Sequence, residues 1–210
     1  INWSLKMSLR KSILTDALRA VANGKAEVTE AGLFIPGANV FVGGMFGAAY
    51  AEPGSDDFGP LTIGANRVVN QGLNLLLSLL GNHASPPSGL YLAPFIGDVA
   101  PAASWTAASF ATGATEFTAY TAANRLPWTT VAPTAQQLTN AAALAAATLT
   151  FNPGGPYTIR GLGLLTVSGK GSTTGALFAA SRFAADLTGM QGGGRLAMEY
   201  ALGAVDEGDV

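Results

Sequence analysis

The stretch YTIRGLGLLTVSGKGSTTGALFAASRF, residues 157–183, sets the fold class of this chain. Its two ends, residues 157–167 and 175–183, are rich in apolar residues, and the segment between them is rich in glycine, serine and threonine. Short apolar runs separated by glycine-rich segments are typical of strands joined by a loop. The stretch therefore predicts two strands of a β-structured body.

Further strand-like runs flank this stretch on both sides. They lie at residues 88–96, 116–121, 144–151 and 194–202. Because six or seven short strands follow one another without regular helices between them, a parallel α/β sheet is disfavoured and an antiparallel sandwich or barrel is favoured. Residues 141–147 are rich in alanine, and helix and strand are equally favoured there. The predicted fold class is mainly β, with an antiparallel, jelly-roll-like β-sandwich as its body.

Alternation within these runs predicts the core of the body. In a strand, every second side chain points to the same face of the sheet, so a sheet with one covered face buries alternate residues. The side chains expected to be largely buried are Leu90, Leu92, Phe117, Trp128, Leu162, Leu164 and Tyr200.

The N-terminal part of the chain has a different pattern. Residues 8–22 carry apolar residues at three- and four-residue spacings, which predicts an amphipathic helix that ends at Asn23 and Gly24. The pieces expected after it are two short β-like stretches, residues 32–35 and 39–42, and a loop, residues 51–60.

A second helix is predicted over residues 66–80, because a glycine and two prolines follow an apolar periodic run. Its buried side is expected to consist of Val68, Leu73, Leu76, Leu77 and Leu80. We therefore predict an N-terminal arm with one or two helices over residues 1–65. Residues 66–210 are expected to form a helix followed by the β-sandwich body.

The composition offers few residues that activate a nucleophile or bind a transition metal. The chain has no Cys, one His, eleven Lys and Arg and thirteen Asp and Glu, against 27 Gly. Without Cys there are no disulfides and no thiolate metal sites. A net charge of −2 argues against a general nucleic-acid partner, since such proteins usually carry a basic face. The composition favours a structural protein over an enzyme.

The charges concentrate at the two ends of the chain. The first 25 residues hold five basic groups, and the last twelve hold four acids and no base. Either both ends are simply solvated, or the start of one copy docks on the end of the next. The longest apolar stretch, residues 73–80, is much shorter than the roughly 20 residues of a membrane span. No membrane partner and no signal peptide are expected.

Two features of the chain superficially resemble catalytic or nucleotide-binding motifs. The glycine-rich loop around Lys170 fails as a phosphate-binding loop, because Leu164 occupies the slot of the first glycine and Gly171 follows the lysine. An inter-strand loop is the favoured interpretation. The single histidine, His83, follows a helix end, and no Gly-x-Ser-x-Gly elbow supplies a serine nucleophile for it. We expect His83 to lie on the surface.

The acidic residues and one tryptophan segment leave further alternatives. Asp56 and Asp57 lack calcium-loop spacing and are expected to be solvated. A hydrolase would need a carboxylate pair assembled in space from Asp98, Glu116, Asp186 and Glu199. Arg125 and Trp128 form either a stacking surface for a base or sugar or, as we favour, a structural cation–π pair with a buried indole.

Three segments carry a resemblance to a known class of proteins. They are residues 67–74 (RVVNQGLN), residues 116–128 with the ends EFTAY and NRLPW, and residues 175–183 (GALFAASRF). In this order the chain resembles structural proteins of tailed bacteriophages, which are encoded among head genes and are often described as capsid decoration or cement proteins. The segment AGLFIPG, residues 31–37, is similar to the start of the longer members.

The resemblance implies a virion protein on the outer surface of a phage capsid, made in the host cytoplasm, that bridges neighbouring capsid subunits. Its implied partners are the major capsid protein and other copies of itself, with no nucleic acid and no membrane. It implies no catalytic, cofactor-binding or metal-binding residues. One alternative is a tail or fibre component whose exposed aromatic residues, such as Trp105 and Trp128, bind carbohydrate or a receptor. A carboxylate-only hydrolase is the other.

Overall fold

The computed structural model describes residues 27–29, 32–34 and 40–206. The helix predicted over residues 8–22 lies outside the described residues. The chain divides into two compact units, one of Ile1–Phe41 with Ala204–Val210 and one of Val42–Gly203. In the first unit, strand β1 (Glu27–Thr29) pairs antiparallel with strand β2 (Gly32–Phe34).

The second unit is mainly β and holds ten strands, two of which extend past its limits. They are β3 (Val40–Ala51), β4 (Thr62–Ala65), β5 (Arg67–Val68), β6 (Tyr91–Phe95), β7 (Leu126–Pro127), β8 (Gln137–Thr139), β9 (Thr148–Thr150), β10 (Tyr157–Leu165), β11 (Leu177–Met190) and β12 (Arg195–Asp206). Its helical elements are helix α1 (Asn70–Leu80), a π-helical turn (Ser109–Gly113) and a 3₁₀ helix (Ala141–Ala147).

The strands of this unit form two antiparallel sheets. Sheet 1 has the order β4-β3-β12-β8, and β9 also pairs with β12. Sheet 2 has the order β5-β11-β10-β6-β7. The antiparallel, mainly β character predicted for the body is therefore confirmed.

The stretch at residues 157–183 supplies the centre of sheet 2. Strands β10 and β11 pair antiparallel, with Gly161 opposite Arg182 and Leu164 opposite Ala179. A Cβ atom at Gly161 would collide with the carbonyl oxygen of Ser181 and the ring of Phe95. Glycine is therefore needed here because backbone and aromatic ring approach too closely for any side chain.

Both sheets contribute side chains to the main core. Side chains from β3 and β12 of sheet 1 join side chains from β6, β10 and β11 of sheet 2 in one cluster. Of the residues predicted to be buried, Leu92, Phe117, Trp128, Leu162, Leu164 and Tyr200 are buried, and Leu90 is half-buried. Six of the seven side chains that the alternation predicted to be buried are therefore buried.

A second buried cluster covers another part of sheet 2. Phe95 of β6 packs edge-on against Phe110 of the π-helical turn and against Trp105. The segment between β6 and β7 therefore serves as a lid on the sheet, which the sequence pattern did not predict.

Several predicted elements differ from the structure. Helix α1 begins at Asn70 and not at residue 66, because Arg67 and Val68 pair with β11 as a short strand. Residues 116–121 form no strand. Only isolated bridges occur there, from Glu116 to Phe95 and from Tyr120 to Phe151. Residues 141–147, where helix and strand were equally favoured, form a 3₁₀ helix.

Residues 42–65 also differ from the expected arm. Strand β3 continues to Ala51, whereas the sequence predicted a strand only to residue 42. Phe46 and Ala48 of this strand are fully buried in the core cluster of the second unit. These residues are part of the β body, and the loop predicted over residues 51–60 follows them without regular structure after Ala51.

Candidate functional site

The face of sheet 1 that points away from the core carries exposed apolar side chains. Met45 is 48% exposed, Leu61 56% and Ile63 48%. Alternation along β3 explains the position of Met45, since Phe46 and Ala48 point into the core and Met45 and Gly47 point outward. We call Met45, Leu61 and Ile63 the outer patch.

The register of β3 and β4 makes the outer patch continuous. Ile63 lies directly opposite Gly47, and Met45 lies opposite Ala65. The Leu61 side chain covers Gly47, whose Cβ would lie 3.1 Å from Leu61 Cδ1. Because Gly47 and Ala65 are small, the side chains of the outer patch project from the surface of the sheet.

A groove of about 380 Å³ lies where the loop after β3, the 3₁₀ helix and strands β9 and β12 meet. Its lining consists of Phe58, Leu144, Ala145, Thr148, Arg195 and Ala197. The guanidinium of Arg195 donates to the Ser55 carbonyl (2.6 Å) and to Asp56 Oδ1 (2.7 Å), and it lies 5.3 Å from the ring centroid of Phe58. The charge beside the groove is thus already paired.

Helix α1 presents a second set of exposed apolar side chains. Leu73 is 40% exposed, Leu77 66% and Leu80 84%, and their spacing of four and three residues places them on one side of the helix. We call these residues the leucine stripe. The prediction that these three residues belong to the buried side is therefore wrong, whereas Val68 and Leu76 pack against the core as predicted. Leu75 and Gly72 also lie on the core side, and Gly72 closely approaches Phe178.

A second groove, of about 290 Å³, lies next to helix α1. Its lining is almost entirely apolar and includes Leu75, Leu76 and Leu79 of the helix, with Leu90, Trp128 and Leu138 among the remaining residues.

The region around Arg125 is a buried ion-pair network. Arg125 donates to both carboxylate oxygens of Glu116, at 2.9 and 2.6 Å, and neither side chain is more than 1% exposed. The same guanidinium donates to the carbonyls of Val167 (2.8 Å) and Ser172 (3.0 Å). Arg125 therefore does not stack on Trp128 as predicted, because a buried guanidinium needs the carboxylate and carbonyl acceptors that Glu116 and the loop supply.

The glycine-rich loop is held from its other side by Lys170. Its ammonium donates to the carbonyls of Thr118 (3.2 Å) and Tyr120 (2.7 Å) and lies 3.7 Å from the Tyr120 ring centroid. Burial lowers the pKa of Lys170, and the charge of Glu116 partly opposes this. The loop joins β10 to β11, which confirms that it is an inter-strand loop.

Three uncharged amide side chains join separate elements, and sequence reasoning did not single them out. Asn66 accepts from the Gly44 N–H (2.9 Å) and donates to the Tyr200 hydroxyl (2.6 Å). Gln71 accepts from the N–H groups of Ala107 and Leu177. Asn140 donates to the Met198 carbonyl and accepts from the Tyr200 N–H. We call Asn66, Gln71 and Asn140 the amide bridges; nothing in their sequence spacing marks this role.

Among the remaining predicted site residues, Asp98 and Asp186 come together, because the guanidinium of Arg182 pairs with both carboxylates. His83 is exposed, as expected, and so are Asp56 and Asp57. Asp98 pairs with Arg182 (2.6 Å), and this hydrogen bond lowers the pKa of Asp98.

Asp186 and Glu199, two further carboxylates of the hydrolase alternative, also have partners, and Asp186 shares Arg182 with Asp98. Asp186 pairs with Arg160 (3.0 Å) and Arg182 (3.2 Å), and Glu199 accepts from the Thr139 hydroxyl. Trp128 is buried, although it contributes to the lining of the 290 Å³ groove, and Trp105 is half-buried.

Within the described residues, no group of three or more acidic or histidine side chains is placed to hold a metal ion. No helix in the described part of the chain has the length and apolar character needed to cross a membrane. Comparisons with protein families, with curated proteins and with solved structures found no match for this chain.

Proposed function

We propose that this chain is a virion structural protein that binds the outer surface of a bacteriophage capsid and bridges neighbouring capsid subunits. The observation that carries the proposal is the outer patch, where Met45, Leu61 and Ile63 remain about half exposed on one sheet face. Exposed apolar groups clustered on one surface are typical of protein interaction sites. The partners proposed are the major capsid protein and further copies of this chain, with no role for nucleic acid, a membrane or catalysis.

The proposed body is a β-sandwich of the jelly-roll type. Its support is the larger core cluster, to which both antiparallel sheets contribute. A rigid two-sheet body holds the outer patch in a fixed geometry, so that little conformational entropy is lost when the patch docks. The N-terminal arm is proposed to strengthen attachment by packing on a neighbouring subunit.

The proposed mechanism is adhesive. Burying the exposed halves of three apolar side chains contributes about 1 kcal/mol each, which alone gives weak binding. Repetition of such contacts between linked subunits raises the overall affinity without any new contact, because the later contacts form within an existing complex. Many weak contacts of this kind stabilise the shell against pressure from inside.

The first experiment is quantitative mass spectrometry of purified virions from the source of this sequence. A decoration protein is expected at on the order of hundreds of copies per particle, as repeated shell subunits require. A tail or fibre component would be present at about a dozen copies or fewer. Absence of the chain from purified particles overturns both functions.

The second experiment tests the outer patch. Ile63→Asp places a charge in the patch and is expected to weaken binding to empty shells of the co-encoded capsid protein by about tenfold or more, since the charge would be buried without a partner. The control is Val131→Asp, at a site that is 61% exposed in the loop between β7 and β8. Equal binding of both variants and the native chain would exclude the outer patch as the shell-binding surface.

The alternative, a tail or fibre protein with a carbohydrate- or receptor-binding surface, has one supporting feature. The ring of Phe58 is 38% exposed at the 380 Å³ groove, close in sequence to the exposed carboxylate of Asp57 and to Asp56, which pairs with Arg195. An aromatic face with adjacent hydrogen-bond acceptors is a suitable surface for a sugar. Loss of binding to a glycan array in Phe58→Ala, with Ile63→Asp unaffected, would favour this alternative.

A further inference from the structure

We infer that the leucine stripe of helix α1 and the groove beside it form a contact between two copies of this chain related by a twofold axis. The inference concerns a different surface from the outer patch and holds whether or not the chain binds a capsid. Three observations support it. The leucine stripe is exposed, the helix carries no charged residue, and the protruding stripe lies next to an apolar groove.

The composition of helix α1 is that of a helix covered on both sides. Its sequence, NQGLNLLLSLL, holds no charged residue. A helix with one side in water normally carries charged residues there, and a helix that is apolar on several sides is normally buried. The core covers Gly72, Leu75 and Leu76, so the remaining apolar side, the leucine stripe, is the part left for a partner.

A second copy suits this surface for an electrostatic reason. In a twofold contact each residue near the axis faces its own counterpart, so a charged helix would face like charge. The polar side chains of helix α1 are the amides of Asn70, Gln71 and Asn74 and the hydroxyl of Ser78, and Asn70 and Asn74 are exposed. Amides both donate and accept hydrogen bonds and can therefore pair with themselves across the axis.

The shape of the surface is self-complementary. Leu76 lines the 290 Å³ groove and lies three residues from Leu73 and four residues from Leu80, so that groove and stripe are neighbours on one helix. In a twofold pair, the stripe of each copy can enter the groove of the other at the same time. Such a reciprocal contact closes on itself as a dimer, whereas distant complementary surfaces would produce open chains.

The expected strength of this contact is modest. Stable interfaces bury about 1,200–2,000 Å² in total, from roughly 20–30 residues a side. The stripe and the rim of the groove supply only part of that. We therefore expect a dimer with a Kd on the order of 100 μM in free solution.

Disulfide trapping tests the geometry directly, because the chain contains no Cys and each introduced thiol is unique. A twofold axis beside Leu77 places Leu77 against itself and Leu73 close to Leu80 and Gly81 of the partner subunit. Under mild oxidation, Leu77→Cys is expected to form a disulfide-linked dimer. A mixture of Leu73→Cys and Leu80→Cys chains should form the mixed dimer in preference to either dimer with itself, since disulfides need Cα atoms within about 7 Å.

The matched control for trapping is Val131→Cys, at an exposed site outside the helix. Dimer formation at least about tenfold faster for Leu77→Cys than for Val131→Cys supports the contact. Equal rates for both variants overturn it, as does a mixture of Leu73→Cys and Leu80→Cys chains without preference for the mixed dimer.

Sedimentation of the full chain without any particle tests the affinity. The native chain is expected to dimerise as its concentration rises from ~10 μM to ~1 mM, and Leu77→Asp is expected to weaken the dimer by at least about tenfold. Ile63→Asp is the matched control and should dimerise like the native chain. A native chain that stays monomeric throughout, or a Leu77→Asp variant that dimerises as well as the native chain, overturns the inference. Failure of shell binding in the earlier experiment leaves this result unchanged.

Discussion

The ion pair between Glu116 and Arg125 shows why single residues matter in this fold. Both side chains are almost fully buried, and the pair joins the segment after the π-helical turn to the loop between β10 and β11. Glu116 also accepts from the Gly171 N–H (3.1 Å). Removing one partner leaves a buried charge without compensation, which costs more than the pair contributes.

We predict that Arg125→Met lowers the free energy of unfolding by about 3–5 kcal/mol, because Glu116 remains buried and unpaired. The double variant Glu116→Gln/Arg125→Met should recover a large part of this loss, since no charge is left unpaired. Urea unfolding monitored by tryptophan fluorescence measures both values. Asp98→Asn is the control, because Asp98 belongs to an exposed pair and its replacement should change stability little. Additive effects of the two substitutions at positions 116 and 125 would contradict the coupling.

The buried tyrosines give a pH-dependent prediction. Burial raises the pKa of Tyr120 well above its ordinary value of 10.0, and the charge of Glu116 adds to the rise. Burial likewise raises the pKa of Tyr200, partly offset by the hydrogen bond from Asn66. A raised folded-state pKa favours the protonated form in the fold. The stability these groups contribute is therefore fully present below pH 10.0 and decreases as the pH rises above it.

We expect Tyr120→Phe and Tyr200→Phe to differ at neutral pH. The Tyr120 hydroxyl has no hydrogen-bond partner within the described part of the chain, so Tyr120→Phe should change stability by less than about 0.5 kcal/mol. Tyr200→Phe removes the bond from Asn66 and should cost about 1 kcal/mol or more. Both variants should lose less stability than the native chain between pH ~7 and pH ~11 in urea unfolding. An unchanged alkaline loss in both would refute the assignment.

At the scale of elements, helix α1 depends on one close backbone contact. A Cβ at Gly72 would collide with the carbonyl oxygen and backbone of Phe178 in β11. Gly72→Ala should therefore force the helix away from the sheet and lower the free energy of unfolding by about 1–3 kcal/mol, although alanine favours helix.

Gly113→Ala serves as the control for Gly72→Ala, because a Cβ at Gly113 has no atom within 4 Å. It should be neutral or slightly stabilising, through reduced freedom of the unfolded chain. Thermal melting followed by circular dichroism compares the two variants. A Gly72→Ala chain as stable as the Gly113→Ala chain would show that the helix adjusts without cost.

The elements show how far sequence patterns reach in this chain. Strands β10 and β11 were predicted because apolar runs bounded by glycine are a local signal. Strand β3 was predicted only in part, because the predicted stretch ended at residue 42, directly before Gly43 and Gly44. At Gly44 a Cβ would collide with the Ala201 carbonyl oxygen and crowd the Tyr200 ring, so glycine permits strand contact there. This requirement depends on a partner 157 residues away, which local pattern does not contain.

Local sequence patterns also failed to predict the surroundings of the leucine stripe and of Arg125. An apolar residue on helix α1 gives no local sign of whether it faces the core or a partner, so the leucine stripe was assigned to the wrong side. Likewise, the partner of Arg125 was sought in the nearby Trp128, although Glu116, nine residues before it, is the carboxylate that the buried guanidinium needs.

At the scale of the whole molecule, the described core lies inside one part of the chain. All buried members of both core clusters fall between Phe46 and Tyr200. We therefore predict that deletion of residues 1–30 leaves the β body folded, with a circular dichroism spectrum still dominated by strand and a cooperative thermal transition.

The same deletion tests the proposed anchoring role of the arm. Shell occupancy of the truncated chain is expected to fall below that of the native chain at equal concentration, because the arm supplies part of the contact area. Undiminished occupancy would show that the arm does not anchor the protein. Loss of the thermal transition would show that the first 30 residues are needed for folding itself.

The amide bridges have a consequence for the environments in which this protein works. Asn66, Gln71 and Asn140 join strands, helix and loops through hydrogen bonds of neutral groups, which dissolved ions do not screen. Of the five ion pairs among the described residues, four are partly or fully exposed, and such pairs contribute little each. The urea midpoint should thus barely move between ~0.05 M and ~1 M NaCl. A body joined in this way keeps its shape equally in fresh water and in brine.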